Sequence, residues 1–222
     1  MSKIKIMKKY LLGFALAFMS LTAFAQADYE KAMTEKIAKI ETCKTAEDFQ
    51  VLANDFHKIA GQDETRWLPF YYAAFANIQK GRVLMKEGKM EDLDFIAGQA
   101  QKYINAAQHA APSDNAELHV LKKMAYSLKM MVNPQQRINT DGAKATEELK
   151  AAEKLDPANP RITLIKAEDM YFTPEQYGGS KIKGMELFRQ AHEKFKKYTP
   201  KTSLDPNWGK AEAEYFLSLN KK

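Results

Sequence analysis

The sequence predicts an all-α protein built of antiparallel helical hairpins that stack on one another. Alternating runs of Val, Ile and Thr, which are typical of strands, do not occur in the 222 residues. Ala, Lys, Glu, Leu and Met instead fill windows in which apolar residues recur every three or four positions. Gly and Pro are sparse, with 10 and 8 residues, and they fall mainly between these windows, where they mark helix ends.

The first 25 residues have the pattern of a secretory signal peptide. Four lysines precede the apolar run YLLGFALAFMSLTAF, and small residues stand at Ala23 and Ala25. We expect cleavage after Ala25, with Ala27 as a second candidate. The apolar run is short for a membrane span, and an uncleaved anchor helix is the alternative. Because no Cys stands near the cleavage site for a lipid anchor, the sequence predicts a periplasmic or secreted protein without membrane insertion after cleavage.

Charge and cysteine content exclude two classes of function. The formal net charge of +6 falls to about +2 without the four leader lysines. No block of basic residues interleaved with aromatic residues remains, which argues against nucleic-acid binding. Cys43 is the single cysteine, so no intramolecular disulfide can form. A nucleophilic thiol needs a depressed pKa and a neighbouring base, and we interpret Cys43, at a helix junction, as a passive packing residue.

The apolar periodicity defines the helices in chain order. They are predicted over residues 28–43, 46–60, 65–86, 90–110, 114–132, 141–155, 161–172, 180–198 and 207–219. Thr45 and Asp48 give the second helix a capping-box start. The third contains WLPFYYAAFANI, which is apolar on every side of its axis, so this helix must be covered on several faces and is predicted to be central. Pro69 is compatible with it only in the first turn.

Turn residues separate the later helices. The boundaries are Pro112-Ser113, Asn133-Pro134, Asp156-Pro157 and Gly178-Gly179-Ser180. Pro and Gly at these positions indicate helix ends, and Ser or Asn beside them indicates the next helix start. The segment 133–142 is predicted to be an extended loop. Trp208 and Gly209 are expected to dock the last helix over the preceding ones as a cap.

A small–large–small pattern followed by proline recurs three times. The positions are Ala100, Ile104, Ala107 and Pro112, then Ala145, Leu149, Ala152 and Pro157, and then Gly184, Phe188, Ala191 and Pro200. A small residue lets a neighbouring helix backbone approach, and the large residue fills the groove beside it. Proline stops the helix, so that the next hairpin can stack on the one before.

This pattern, strongest in AKATEELKAAEKLDPANP, resembles the second helix and exit turn of tetratricopeptide (TPR) repeats. The resemblance implies a TPR-like right-handed α-solenoid with a C-terminal capping helix. It divides a single domain over 28–222 into N-terminal helices over 28–64, hairpins over 65–112, 113–157 and 158–200, and a cap over 207–219. MYFTPEQYGGSKIKGMELF and DPNWGKAEAEYFL also resemble the C-terminal part of uncharacterised exported TPR-like proteins from Bacteroidetes-type bacteria.

The chain contains no local motif of catalysis or metal binding. Neither a nucleophile elbow nor a Cys–His pair occurs. Residues 178–181 lack the spacing of a phosphate-binding loop, and we interpret them as a tight turn in which Ser180 caps the next helix. His109 and His119, with Glu117 between them, are the one weak metal candidate. We therefore predict no enzyme, no metal and no cofactor, with a site assembled from distant residues as the open alternative.

The aromatic residues are the remaining functional signal. Most are expected to pack in the core, but Tyr72, Tyr126, Tyr171 and Tyr177 could line a concave face that binds a protein or peptide. We therefore predict a monomeric, non-enzymatic scaffold for a protein or peptide partner. The alternative is a small-molecule carrier with an aromatic-lined cavity. A groove open at both ends favours a peptide, and a closed apolar cavity favours a small ligand.

Overall fold

The computed structural model of the protein describes residues 26–219, and these contain no strand. The α-helices are α1 (26–39), α2 (Ala46–Ala60), α3 (Trp67–Lys86), α4 (Leu93–Ala110), α5 (Ala116–Val132), α6 (Pro134–Arg137), α7 (Ala143–Leu155), α8 (Pro160–Phe172), α9 (Lys181–Lys197) and α10 (Lys210–Leu219). The all-α prediction is therefore confirmed over this range. The predicted signal peptide lies outside the described residues.

Most helix ends agree with the sequence prediction to within about three residues, because local capping fixes them. The side chain of Thr45 accepts a hydrogen bond from the Asp48 amide, and Asp48 reaches back to the Thr45 amide, so the predicted capping box of α2 is present. Ser180 likewise caps α9 by accepting from the Lys183 amide. Pro69 lies in the first turn of α3, where its missing N–H costs nothing.

The predicted loop 133–142 is wrong, because this segment is helical. The side chain of Asn133 accepts from the Gln136 amide and starts α6, with Pro134 in its first turn. A π-helix, Ile138–Gly142, follows directly and leads into α7. The prediction failed because we interpreted Pro134 as a helix break. At the first position of a helix, the fixed backbone angle of proline favours a helix start instead.

Helices pack pairwise, mostly with their neighbours along the chain, and α3 contacts α2, α4 and α5. Helix α2 packs on α3, α3 on α4, α4 on α5, and α5 on α7, while α8 packs on α9 and α9 on α10. The middle of α3 is fully enclosed, with Tyr71, Tyr72, Ala73, Ala74, Phe75 and Ala76 at most 2% exposed. The predicted central position of this helix is thus correct, and it follows from a segment that is apolar on every side.

Small residues of the repeated pattern are buried between helices. Ala100, Ala107, Ala152 and Ala191 are fully buried. A Cβ atom added to Gly184 would lie 2.9 Å from the Tyr171 backbone, so only glycine allows α9 to approach α8 this closely. The predicted use of a small residue for close helix approach is confirmed at Gly184.

A buried polar network, here named the Arg161 network, fixes the segment before α10. The guanidinium of Arg161, which is fully buried, donates to Glu117 at 2.6–2.9 Å and to the Tyr198 hydroxyl at 2.8 Å. Trp208 donates to the Tyr71 hydroxyl, which donates in turn to Glu117. These bonds tie α3, α5 and α8 to the residues that follow α9.

Trp208 and Gly209 dock the C-terminal segment as predicted. The Trp208 ring stacks on Phe75 of α3 with 4.6 Å between centroids. Gly209 has a φ of 103°, and a Cβ atom there would meet Leu164 and Phe195 within 3 Å. Within residues 26–219, no helix is long and apolar enough to cross a membrane.

Candidate functional site

The end of α8, the connection 173–180, the start of α9 and the end of α10 form one exposed region, here named the α8–α9 corner. Gly178 takes a left-handed conformation with a φ of 91°. A Cβ atom on Gly179 would overlap the Thr173 carbonyl, and the Ser180 amide donates to the Met170 carbonyl at 2.8 Å. The connection between α8 and α9 is therefore a tightly closed turn, which agrees with the predicted tight turn and cap.

Exposed large apolar side chains concentrate at this corner. Phe172 is 63% exposed, Tyr177 72%, Ile182 84%, Tyr215 58% and Leu219 50%. They are more than half of all exposed large apolar residues between 26 and 219. Single exposed apolar residues are ordinary on a protein surface, but a cluster of them indicates a binding surface.

An aromatic cluster supports the corner from below. Phe216 of α10 stacks on Phe188 of α9 with 4.3 Å between ring centroids. The rings of Tyr171 and Phe172, at the end of α8, each lie 5.6 Å from the Phe216 ring, measured between centroids. Aromatic pairs at these separations stabilise their relative positions beyond the burial of area alone. The cluster holds α8, α9 and α10 together where their exposed side chains emerge.

The first groove lies on the α8 side of the corner and has a volume of about 340 Å³. Its walls are Lys166, Asp169, Met170, Thr173, Tyr177, Gly178, Gly179 and Leu187. Both charged residues already have protein partners: Lys166 donates to Glu153, and Asp169 accepts from Lys123. The first groove is therefore neutral.

The second groove lies between α9 and α10 and has a volume of about 240 Å³. Its walls are Tyr171, Lys181, Ile182, Met185, Arg189 and Leu219. Four of these are aromatic or aliphatic, and the other two are cations. Neither groove is a closed cavity, and both are open to solvent.

Arg82 of α3 joins α8 to α10 through two salt bridges. Its Nη2 atom donates to Glu168 and to Glu212, at 2.7 Å in both cases. Burial raises the pKa of the Glu168 carboxyl to about 7, since the nearby Arg82 only partly offsets the loss of water. The interaction between α8 and α10 therefore includes a group that titrates near neutral pH.

The candidate metal residues are not brought together. His119 contacts Glu148 through Nδ1 and Asp114 through Nε2, whereas Glu117 belongs to the Arg161 network. No group of three or more potential metal ligands suited to hold an ion was found in the part of the chain that the structure describes. Burial raises the pKa of the Cys43 thiol, which opposes the thiolate that a nucleophile requires.

One solved structure resembles this chain over most of its length. It is the HusA haemophore from Porphyromonas gingivalis, with 29% sequence identity and a TM-score of 0.74. The similarity covers 86% of this chain and 92% of the HusA chain. No protein-family model matches the sequence, and no curated protein sequence matches it.

This comparison overturns the TPR assignment, which was wrong. The all-helical fold resembles that of HusA, and the assignment to the TPR family is not supported. Alanine, a large apolar residue and proline at fixed spacing satisfy the close approach of any two antiparallel helices, so they do not identify a TPR repeat. The long periods and the π-helix between α5 and α7 are departures from that repeat.

The predicted protein-binding scaffold and its protein or peptide partner are also wrong, because the similar protein is a haemophore. The alternative prediction of a small-molecule carrier agrees better with this finding, although the two grooves of the corner are open and neither is the closed aromatic-lined cavity that was expected. A surplus of tyrosine and phenylalanine is compatible with a peptide groove and with a surface for a flat apolar ligand, and composition alone does not separate the two.

The four tyrosines that the sequence singled out lie in different environments. Tyr72 is 1% exposed and donates to the Leu204 carbonyl. Tyr126 is half-buried, with Lys129 and Lys144 within 6 Å of its ring. Tyr171 lines the second groove and Tyr177 the first. Two of the four therefore reach the corner, and they reach it in different grooves.

Sequence reasoning missed the remaining residues of the second groove. They are Lys181, Ile182, Met185, Arg189 and Leu219. Helical spacing gave a usable signal, since positions 182, 185 and 189 share one face of α9. An isoleucine among lysines in SKIKGMELF was a second signal, because the polar face of a helix rarely needs one.

Proposed function

We propose that this protein is a non-enzymatic carrier of haem, which it binds at the α8–α9 corner. The observation that supports this most strongly is the similarity to a haemophore over 86% of this chain and 92% of the other. The exposed apolar residues of the corner supply a second, independent argument. They form an unusually concentrated surface for a flat apolar molecule.

The residues of the corner fit the chemistry of haem. Haem has a large apolar macrocycle, two carboxylates and an iron that protein side chains ligate through thioether, phenol or imidazole groups. The grooves offer aromatic and aliphatic walls, the cations Lys181 and Arg189, the thioethers of Met170 and Met185, and the Tyr177 phenol. Each part of the ligand thus has side chains of matching chemistry at the corner.

Each group of residues at the corner has a separate role in binding haem. The aromatic and aliphatic walls remove the macrocycle from water, at roughly 25 cal/mol per Å² of apolar surface. The cations attract carboxylates. Because the grooves are open rather than closed, the bound molecule can be handed over without a large rearrangement of the helices, as a carrier requires.

Three predictions from the sequence belong to this proposal. The protein is exported to the periplasm or beyond after cleavage of its first 25 residues. Its helices form a single domain, and their hairpins stack with a right-handed turn. It binds its ligand without transforming it. Export supports carriage, because a haem carrier acts where free haem is met.

An absorbance titration of residues 26–222 with haemin tests the proposal. We expect a shifted Soret band that saturates at one haemin per chain, because one corner exists per molecule. The same chain unfolded in concentrated urea is the matched control for non-specific adsorption of haemin. A titration without saturation, or one identical for the folded and the unfolded chain, would contradict haem carriage.

A further inference from the structure

The two grooves of the corner differ in charge, and this difference selects one of them for a carboxylate ligand. The first groove contains one cation and one carboxylate, and both are paired with other side chains of the protein. The second groove contains Lys181 and Arg189, and no carboxylate is among its lining residues, although Arg189 is paired with the exposed Glu186 outside that lining. An anionic group therefore gains more from the second groove.

The two cations lie at different heights of the same helix face. Eight residues separate Lys181 from Arg189, which places them about 12 Å apart along the axis of α9. Ile182 and Met185 lie between them on the same wall, and Leu219 lies on the opposite wall, on α10. The second groove is thus an apolar slot with a cation at each end of one wall.

Both cations can exchange their present contacts for a ligand at low cost. The Lys181 ammonium lies 6.0 Å from the centre of the Tyr171 ring, at the outer limit of a cation–π contact. Arg189 donates to Glu186, one turn before it, and both side chains are more than half exposed. Exposed ion pairs of this kind contribute little to stability, so Arg189 can turn towards a ligand carboxylate.

The exposure of Ile182 is the strongest indication that a ligand covers the second groove. It is 84% exposed, although its neighbours on α9 are charged and would keep the helix soluble without it. Leu219 is 50% exposed on the facing wall. A ligand that covers both side chains gains the free energy of their removal from water.

We infer that the second groove holds the haem edge that carries the propionates, with Lys181 and Arg189 as the groups that bind those carboxylates. This inference rests on the proposed haem binding and names the residues that select for a dianionic macrocycle. Apolar contact with Ile182, Met185 and Leu219 holds the ring, and the two cations set its orientation.

The test compares haemin with haemin dimethyl ester, in which both propionates are neutral. The double variant Lys181→Ala/Arg189→Ala should weaken haemin binding by about threefold to thirtyfold, the range expected for two exposed ionic contacts. It should change the affinity for the ester by less than about twofold. Added salt should weaken binding of haemin to the unaltered protein and leave binding of the ester unchanged.

The matched control is Lys183→Ala/Lys197→Ala, which removes two exposed cations from the same helix outside the groove. Affinity for haemin should stay within about twofold of the unaltered protein. Equal losses in both double variants would show a general charge effect and overturn the inference, as would equal losses for haemin and its ester. If the unaltered protein binds neither compound, haem carriage itself fails, which is a separate result.

Discussion

The Arg161 network and the α8–α9 corner contain similar side chains, which are buried and hydrogen-bonded in the network but exposed to solvent at the corner. In the network, a guanidinium, a carboxylate, tyrosines and a tryptophan are enclosed and bonded to one another, with Arg161 fully buried against Glu117. At the corner, tyrosines, an isoleucine and two cations face solvent, with Ile182 84% exposed. Residues that bind each other stabilise the fold, whereas residues left without strong partners are available to a ligand. Variants in the two regions should therefore affect different measurements.

The largest effect on stability is expected from Arg161→Met. This change leaves the Glu117 carboxylate in the interior without its counter-charge, and loss of one partner of a buried pair costs about 3–5 kcal/mol. Urea denaturation should show the loss as a lower midpoint. The double variant Arg161→Met/Glu117→Leu should recover much of it, because no unpaired charge is then buried. A single variant as stable as the unaltered protein would show that the network does not hold the fold.

A smaller, pH-dependent effect is expected at the salt bridges that Arg82 makes with Glu168 and Glu212. Burial raises the pKa of Glu168 to about 7 from an ordinary value of 4.5. The folded state therefore binds this proton more tightly than the unfolded state. The resulting stability is complete below about pH 4.5 and is lost as the pH rises through about 7.

Glu168→Gln mimics the protonated carboxyl and should flatten this part of the pH profile. Between pH 5 and pH 8, its loss of stability should be about 2–3 kcal/mol smaller than that of the unaltered protein. Denaturation at several pH values measures this difference. Glu186→Gln, which alters an exposed carboxylate of α9, should leave the profile unchanged. A profile equally steep in both variants and the unaltered protein would exclude Glu168 as its cause.

The smallest effect on stability is expected from Ile182→Ser at the corner. An 84% exposed side chain makes few contacts, so the free energy of unfolding should change by less than about 0.5 kcal/mol. Haemin affinity should nevertheless fall about fivefold, since the ligand then covers a polar side chain. Val51→Ser, at a 60% exposed position on α2, is the control and should alter neither quantity. Haemin affinity that is the same in all three proteins would remove Ile182 from the site.

Individual residues show which features of the fold and of the candidate site could be predicted from the sequence. Thr45 with Asp48 and Ser180 were correctly identified as caps, since a cap depends only on residues within one turn. Gly184 was correctly identified as a point of close helix approach, although the TPR assignment built on such positions was wrong. Tyr171 and Tyr177 were correctly singled out as aromatic residues of interest, but they lie in different grooves. Tyr72, which was grouped with them, is enclosed in the core.

The sequence by itself determined the helical class, most helix ends and the central position of α3. Caps, proline positions and the three- to four-residue periodicity act over one or two turns, so they can be deduced from neighbours along the chain. The tertiary structure alone decided which exposed residues share a groove. Tyr171, Lys181 and Leu219 come from three helices and meet only when α8, α9 and α10 pack. Small residues permit that packing in many helical folds, so the sequence could indicate close contact without specifying the fold or the surface that results.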